Sequence, residues 1–269
     1  MGIGKKRILI TGATSGIGRA TAVVLAEEGH DLILTGRRED RLEQLEAELS
    51  RSNPEINIQT LTFDVRNQPE VEKSLTSLRR VRIGLDTRDI DVLINNAGLA
   101  KGFSEIHEGS LEHWEQMIDT NIKGLLYVSK IVSGWMVNRG KGQIINICSV
   151  AGKEPYPRGN VYCATKHAVD ALTHSMRIDL HKYGIRVGQI SPSHVEETEF
   201  AEVRFDGDKE RGQQVYEDFQ PLKSSDVAEI ISFMISRPAH VNIEDVDVFG
   251  SQQATATIVD RSGRDKFID

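Results

Sequence analysis

Arg7-Ile8-Leu9-Ile10-Thr11-Gly12-Ala13-Thr14-Ser15-Gly16-Ile17-Gly18 is the stretch that decides how the rest of the chain is read. A short apolar run passes directly into a three-glycine turn and then into a stretch of helical period. In a strand–turn–helix unit, Gly12 permits the tight turn, Gly16 lets the backbone approach a pyrophosphate, and Gly18 lets helix pack closely on strand. The helix start, with Thr14, Ser15 and Ile17 in the turn, offers free N–H groups and a positive dipole end to phosphates. The spacing departs from G-x-G-x-x-G by two residues before the second glycine, and a bare glycine turn is weak testimony. Its place between a first strand and a first helix gives it weight.

Outward from this unit, apolar β-rich runs alternate with longer amphipathic stretches. Strands are expected at Arg7–Thr11, Asp31–Thr35, Ile56–Phe63, Asp91–Asn95, Gln143–Cys148, Ile185–Ile190 and Val246–Phe249. Helices are expected at Ile17–Glu28, Glu39–Ser50, Pro69–Arg80, Val161–Lys182 and Ser225–Ser236, the last opened by a hydroxyl cap and Asp226. Leu111–Val137 reads as one long helix or two abutting ones, with Gly124 and Gly134 as close-packing points. Residues 192–223 carry no sustained period and are read as loop or short helices; the tail from Gln252 reads as irregular. Strands this apolar, alternating with helices, specify an α/β fold with a parallel sheet covered on both faces. No repeat, low-complexity tract or linker divides the chain, so a single domain over 1–269 is expected.

Composition narrows the function. A net charge of −7, with 39% hydrophobic and 27% charged residues, describes an ordinary globular protein and argues against a nucleic-acid partner or a membrane surface. Met1-Gly2-Ile3-Gly4-Lys5-Lys6 lacks the hydroxyl of a myristoylation signal, and the apolar run after residues 5–7 is too short for a signal peptide. A cytoplasmic protein is expected. Cys148 and Cys163 fit no disulfide or metal spacing and read as packed thiols. The eight histidines form no ligand cluster, so no metal is expected.

Ligands of such sheets bind beyond the carboxyl ends of the strands, where the remaining signals fall. The second strand runs into Thr35-Gly36-Arg37-Arg38, with no carboxylate before Glu39. A guanidinium pairs with a ribose 2′-phosphate that a carboxylate would repel, so Arg37, assisted by Arg38, reads as a selector for NADP(H). The plain alternative is a solvated helix start. Asp64, in Phe63-Asp64-Val65, reads as an acceptor for an adenine amino group or as a turn cap, two compatible roles. Asn95-Asn96-Ala97-Gly98 suits a backbone pressed against a cofactor, with the asparagines tying down loop amides, and equally suits a structural turn.

Tyr162 and Lys166 lie four residues apart on one helix face, thirteen residues beyond Ser149, and Asn121 precedes them. A phenol beside an ammonium is a proton donor tunable towards working pH, although the spacing alone more often marks an ordinary helix face. Together, Thr11–Gly18, Asn95–Gly98, Asn121, Ser149 and Tyr162/Lys166 resemble, in order, the short-chain dehydrogenase/reductase family. The resemblance covers nearly the whole chain. It implies a Rossmann-like, doubly wound sheet of about seven strands and nicotinamide-dependent hydride transfer, with Pro192 and Val195 also on the cofactor. By the same resemblance Tyr162 is the general acid/base. Lys166 lowers its pKa and holds the nicotinamide ribose, Ser149 binds the substrate oxygen, and Asn121 supports a proton-passing water chain. The chemistry suits these roles: an alkoxide formed by hydride transfer must exchange a proton, and a tyrosine of unperturbed pKa near 10 needs help to act as a base.

Gly159-Asn160-Val161-Tyr162, Asp179-Leu180-His181, Thr198-Glu199-Phe200, Val203-Arg204-Phe205 and Gly207-Asp208 are similar to the family's NADP-dependent 3-hydroxy acid (serine, allo-threonine) dehydrogenase branch. Phe249–Thr255 matches that branch only in part. The resemblance implies a small hydroxy acid or semialdehyde substrate and a homotetramer or homodimer, paired through helices 111–137 and 160–182. One departure stands out: Ser191-Pro192-Ser193-His194-Val195 lies where the family usually has Pro-Gly, which leaves the path of the substrate loop open. Arg204, Arg158, Lys101 and Lys153 are the candidate carboxylate anchors, each against a solvent-facing alternative. Tyr156 and Pro157 are expected to line the pocket. His194 is either a contact to substrate or carboxamide, or a structural loop histidine. Rival readings are a broader ketone, pteridine or 3-oxoacyl reductase, and an NADP-binding regulator without turnover.

Overall fold

The computed structural model describes residues 4–78 and 89–267. Its centre is strand β1 (Arg7–Thr11), whose Ile8, Leu9 and Ile10 are completely buried. β1 lies between β2 (Asp31–Gly36) and β4 (Val92–Asn95), with Leu9 opposite Ile33 on one side and Leu93 on the other. With β3 (Ile58–Thr62), β5 (Gly142–Ile147), β6 (Ile185–Pro192) and β7 (Asp245–Val248) the sheet runs β3-β2-β1-β4-β5-β6-β7, and every pairing is parallel. The chain winds outward from β1 to β3, then returns past β1 and winds the other way. The order therefore reverses between β1 and β4, and the crevice opens there.

Side-chain alternation along the strands divides the core into two layers. Ile8, Ile10, Leu32, Leu34 and Ile94 pack under α1 (Gly16–Glu27), α2 (Glu39–Ser52) and, through Val227 and Ile231, α9 (Ser224–Ser236). Leu9, Ile33, Leu93 and Ile144 face the opposite way, onto Val71 and Leu75 of α3 (Gln68–Thr76) and Val128 and Val132 of α5 (Leu125–Arg139). Both faces of the sheet are covered, as the continuous apolar runs required.

The long stretch expected over Leu111–Val137 is one path with a defect. α4 (Leu111–Ile118) passes into a π-helical turn, Asp119–Gly124, before α5 continues. Gly124 is a close-packing point, because a Cβ there would lie 2.8 Å from Val65 Cγ2; Gly134 is not, since nothing among the described residues comes within 4 Å. α3 ends at Thr76, short of the expected Arg80, which with Met1–Ile3 lies outside the described residues. The start of α9 is capped by Asp226, whose carboxylate accepts from the Lys223 N–H at 2.7 Å; Ser225 does not cap it. α6 (Asn160–Leu180) leads into β6, and residues 192–223 beyond it, expected to be loop or short helices, hold two short helices, α7 (Phe200–Arg204) and α8 (Lys209–Gln214).

The Pro-Gly departure does not derail the chain. β6 extends to Pro192, and the Ser193 N–H donates to Val248 O at 2.8 Å, prolonging the ladder with β7. Neither Ser193 nor His194 has a positive φ, so glycine's freedom is not needed there.

Gly18 packs α1 tightly against the turn beyond β1 and the loop beyond β4. A Cβ would lie 2.3 Å from Gly12 O and 2.4 Å from Asn96 Nδ2. Gly18→Ala is therefore expected to destabilise the fold by ~1–3 kcal/mol, the usual cost of overpacking, in urea unfolding. An unchanged midpoint would show that α1 can slide away without penalty.

Candidate functional site

The glycine turn is held open by its neighbours. Gly12 (φ +67°) and Gly16 (φ +51°) occupy the left-handed region that favours glycine. Thr11 Oγ1 accepts the N–H groups of Asn96 and Ala97, both at 3.0 Å, while Asn96 Nδ2 donates to the carbonyls of Thr11 (2.9 Å) and Gly12 (3.0 Å). Asn96 thus ties down carbonyls rather than amides. Asn95 points into the core, donating to Ser129 Oγ and to Asn146 Oδ1, and Asn146 passes the chain on to Thr173. Beyond the turn, Ser15 makes no side-chain cap to α1, whose first turn holds no carboxylate. Uncapped N–H groups and an unopposed dipole end make this a fitting seat for a pyrophosphate.

At the end of β2 the two arginines separate. Arg37 is exposed, and its Nη1 lies 3.9 Å from Asp64 Oδ2. Asp64 is claimed by Arg66, at 2.7 Å from Nη2, and also caps its turn by accepting the Arg66 N–H. Burial alone would raise the Asp64 pKa, but the hydrogen bonds from Arg66 hold it below the ordinary carboxylate value. Arg38 turns inward and donates to Thr14 Oγ1 (2.9 Å) and Ser15 Oγ (3.2 Å), and its Nη1 lies 2.8 Å from Glu199 Oε2.

Tyr162 and Lys166, on the first turns of α6, are both buried. Lys166 Nζ donates to Ile147 O at 2.8 Å and stands 6.0 Å from the Tyr162 ring centroid. Ser149, where β5 ends, accepts from the Ala151 N–H at 3.1 Å and interacts with the Tyr162 phenol. Burial pushes that phenol well above its usual value, with Tyr156 adding to the rise; Ser149 and Arg204 pull it back. Burial pushes the Lys166 ammonium down. The depression of the phenol expected from Lys166 comes instead from Ser149 and Arg204, and desolvation outweighs it. Asn121 sits on the π turn, not in the groove wall. Its Nδ2 donates to Leu99 O (2.9 Å) and Thr165 Oγ1 (3.0 Å), and its Oδ1 accepts from Leu99 N, so most of the carboxamide is committed. Cys148 and Cys163 are buried free thiols.

All the expected cofactor residues except Gly18, which packs beneath, line one groove of ≈ 660 Å³ together with Ser149, Tyr156, Pro157, His194 and Arg204. The Arg204 guanidinium lies 4.8 Å from the Phe103 ring, 5.4 Å from Tyr156 and 5.6 Å from Tyr162, and donates to the Tyr156 hydroxyl at 2.9 Å. Its Nε and Nη2 are buried without a hydrogen-bond partner. His194 both packs and lines the groove: its ring meets Phe219 (5.8 Å) and Tyr216 (6.4 Å) edge-on, and burial pushes its pKa down.

The other anchor candidates are placed elsewhere. Lys153 bridges Asp170 and Asp245; burial works against its charge, yet those hydrogen bonds carry its pKa upward. Its ammonium thereby serves two members of the Asp170–His174–Asp245 trio, the one cluster of metal-ligating type among the described residues. Lys101 pairs with Asp206 at 2.6 Å, and Arg158 lines a smaller neighbouring cavity of ≈ 210 Å³. Sequence reasoning missed Phe103, Phe200, Tyr216 and the tail residues Ala256 and Thr257, all in the groove wall. Only the resemblance of Thr198–Phe200 and Val203–Phe205 hinted at the α7 side, and nothing marked the tail, where Glu154 fastens the Ala256 N–H.

Residues 6–209 match the family model for short chain dehydrogenase. The NADP-dependent 3-hydroxy acid dehydrogenase YdfG of Salmonella typhi is 45% identical over 249 residues, covering 93% of this chain and 96% of that protein. Sulfoacetaldehyde reductase 2 of Chromohalobacter salexigens is 42% identical over 256 residues, covering 94% and 98%. Among solved structures, the closed form of serine dehydrogenase complexed with NADP+ superposes with a TM-score of 0.85 at 42% identity, over 93% of this chain and 97% of that one.

Arg37, exposed and only distantly paired, is the guanidinium available to a 2′-phosphate. Charge-assisted hydrogen bonds contribute ~1.5–3 kcal/mol, so Arg37→Asp is expected to lower the ratio of NADP to NAD affinity at least tenfold in titration calorimetry. An unchanged ratio removes Arg37 from that role.

Proposed function

The chain belongs to the short-chain dehydrogenase family, and from that membership we propose that it is an NADP-dependent oxidoreductase acting on the hydroxyl-bearing carbon of a small 3-hydroxy acid, or on the matching carbonyl. The observation that carries the substrate class is Arg204. A guanidinium with two buried, unpartnered nitrogens, ringed by Phe103, Tyr156 and Tyr162, calls for an anion beside the phenol.

The glycine turn and the start of α1 hold the pyrophosphate, Arg37 the 2′-phosphate, and Lys166 the nicotinamide ribose. The chemistry a bound nicotinamide supplies is hydride exchange with the substrate carbon. The protein's own groups manage the proton and the geometry. Tyr162, kept protonated by burial, donates its proton to the substrate oxygen in reduction. In oxidation it must accept that proton, which Ser149 and Arg204 favour by stabilising phenolate. Ser149 donates to the same oxygen. Arg204 fixes the carboxylate end, and Phe200, edge-on to Tyr162 at 5.5 Å, keeps water from the phenol. The Asn121 carboxamide is largely committed to Leu99 and Thr165, which leaves its side chain little capacity to hold a proton-passing water chain.

A sulfonated aldehyde is the second reading. Arg204 reads charge rather than carbon skeleton, and one relative bears the name of a sulfoacetaldehyde reductase. A purely regulatory NADP binder is disfavoured by the intact Asn121, Ser149, Tyr162 and Lys166 set, which such a protein has no need to keep. We further place the protein in the cytoplasm as a single domain that pairs through its long helices. Exposed Leu111, Ile118 and Leu126 on the first and Ile178 on the second support that pairing. No described helix is long and apolar enough to cross a membrane.

NADP+ reduction with serine and other 3-hydroxy acids, and NADPH oxidation with keto acids, neutral ketones and sulfoacetaldehyde, test the reading directly. Tyr162→Phe should lower kcat by roughly 10²–10⁴, the contribution typical of a positioned proton donor, with NADP affinity nearly intact. Retained turnover would displace Tyr162 as the acid/base. Arg204→Ala should raise KM for acids roughly tenfold or more while sparing neutral ketones; equal effects on both would rule out an anion anchor.

A further inference from the structure

The segment entering α7 crosses the groove from the substrate side to the cofactor side. After Glu197, which turns through a left-handed φ of +60°, Thr198 comes down over the glycine turn; its Cγ2 lies 3.1 Å from where a Gly16 Cβ would stand. The next residue, Glu199, reaches α2. Arg38 Nη1 donates to its Oε1 at 3.0 Å, and Arg41 Nη1 closes on the same oxygen. Arg38 also holds Thr14 and Ser15, so one guanidinium joins the phosphate turn to the start of α7. The far end of α7 is pinned to the opposite wall, where Gly102 N–H donates to Arg204 O at 2.9 Å and Lys101 pairs with Asp206.

We propose that Glu199 is a positioning residue: gripped by Arg38 and Arg41, it docks α7 onto the cofactor side of the groove and so sets Phe200 and Arg204 over Tyr162. This rests on the groove being the NADP site and adds a physical link between its two halves. The charges are suited to such a link. Of Arg37, Arg38 and Arg41, Glu199 neutralises one, and Asp64 belongs to Arg66. Two positive charges remain, a match for a phosphomonoester of about −1.5 to −2. A bound 2′-phosphate therefore need not expel Glu199, and it draws the arginine cluster together at the root of the latch. Because the carboxylate is about one-third exposed, the pairs add little to global stability. Their effect falls on where α7 sits.

Amide hydrogen exchange on the full-length protein with NADP+ alone provides the test, beside steady-state kinetics with a 3-hydroxy acid. In the wild type, NADP+ should slow exchange over residues 198–205; in Glu199→Gln most of that protection should vanish while Tm stays within a degree or two. KM for the acid should rise roughly three- to fivefold, the scale of a partly exposed ionic network. The pH profile of kcat should not move, because Tyr162, Ser149 and Lys166 do not touch Glu199. Glu199→Asp should recover part of the protection, and Arg41→Met should lose a smaller part. Equal protection in wild type and Glu199→Gln, or an unchanged KM, overturns the proposal. Wild-type protein that binds NADP+ without protecting 198–205 overturns the latch alone; protein that binds no NADP+ overturns the reading of the groove and the latch with it.

Discussion

The hydrogen bonds between the end of β4 and the glycine turn hold the two halves of the site in register. Thr11 and Gly12 on one side and Asn96 and Ala97 on the other make four hydrogen bonds across the point where the strand order reverses. The buried line Ser129–Asn95–Asn146–Thr173 continues the same constraint into α5 and α6. The helix bearing Tyr162 and Lys166 is thus tied, through side-chain hydrogen bonds in a low-dielectric core, to the strand that feeds the turn. Buried polar chains of this kind are costly when partly satisfied, so they specify one arrangement rather than several.

That rigid half contrasts with the α7 side. There the contacts are ion pairs and aromatic edges: Glu199 with two arginines, Arg204 among three rings, Lys101 with Asp206. Such interactions are individually weak and screened by solvent. A firm floor and a loosely fastened cover suit a groove that must admit a cofactor and then a substrate, and exclude water between.

Much of this was legible in the residues. Strands buried on both faces must be apolar throughout, so β1, β2, β4 and β5 stood out, and the alternation of Ile8, Leu9 and Ile10 between two layers followed from period alone. The glycines of the turn and the i, i+4 pair of Tyr162 and Lys166 are local patterns, visible without tertiary knowledge. What stayed hidden depends on distance in sequence. The link from Glu199 to Arg38 spans 161 residues, and although both residues stood in quoted motifs, no local pattern marks them as partners. Lys153 looked like a pocket cation until Asp170 and Asp245 claimed it. Ala256 and Thr257 lie in a tail without period. Gly134 resembled Gly124 in sequence, and only the packing against Val65 separates them.

The π turn at Asp119–Gly124 carries a geometric debt for everything downstream. One residue more than a regular helix needs is accommodated there, and each residue of an α-helix advances the face by about 100°. The apolar stripe of Val128, Val132 and Met136 meets the sheet only because that extra step has been taken. A helix made regular by losing a residue would swing the stripe towards solvent and turn Lys130 or Ser133 inward. The irregularity that presents Asn121 to Leu99 and Thr165 is therefore also the phase-setter for part of one core layer, which ties the upkeep of the site to the upkeep of the fold.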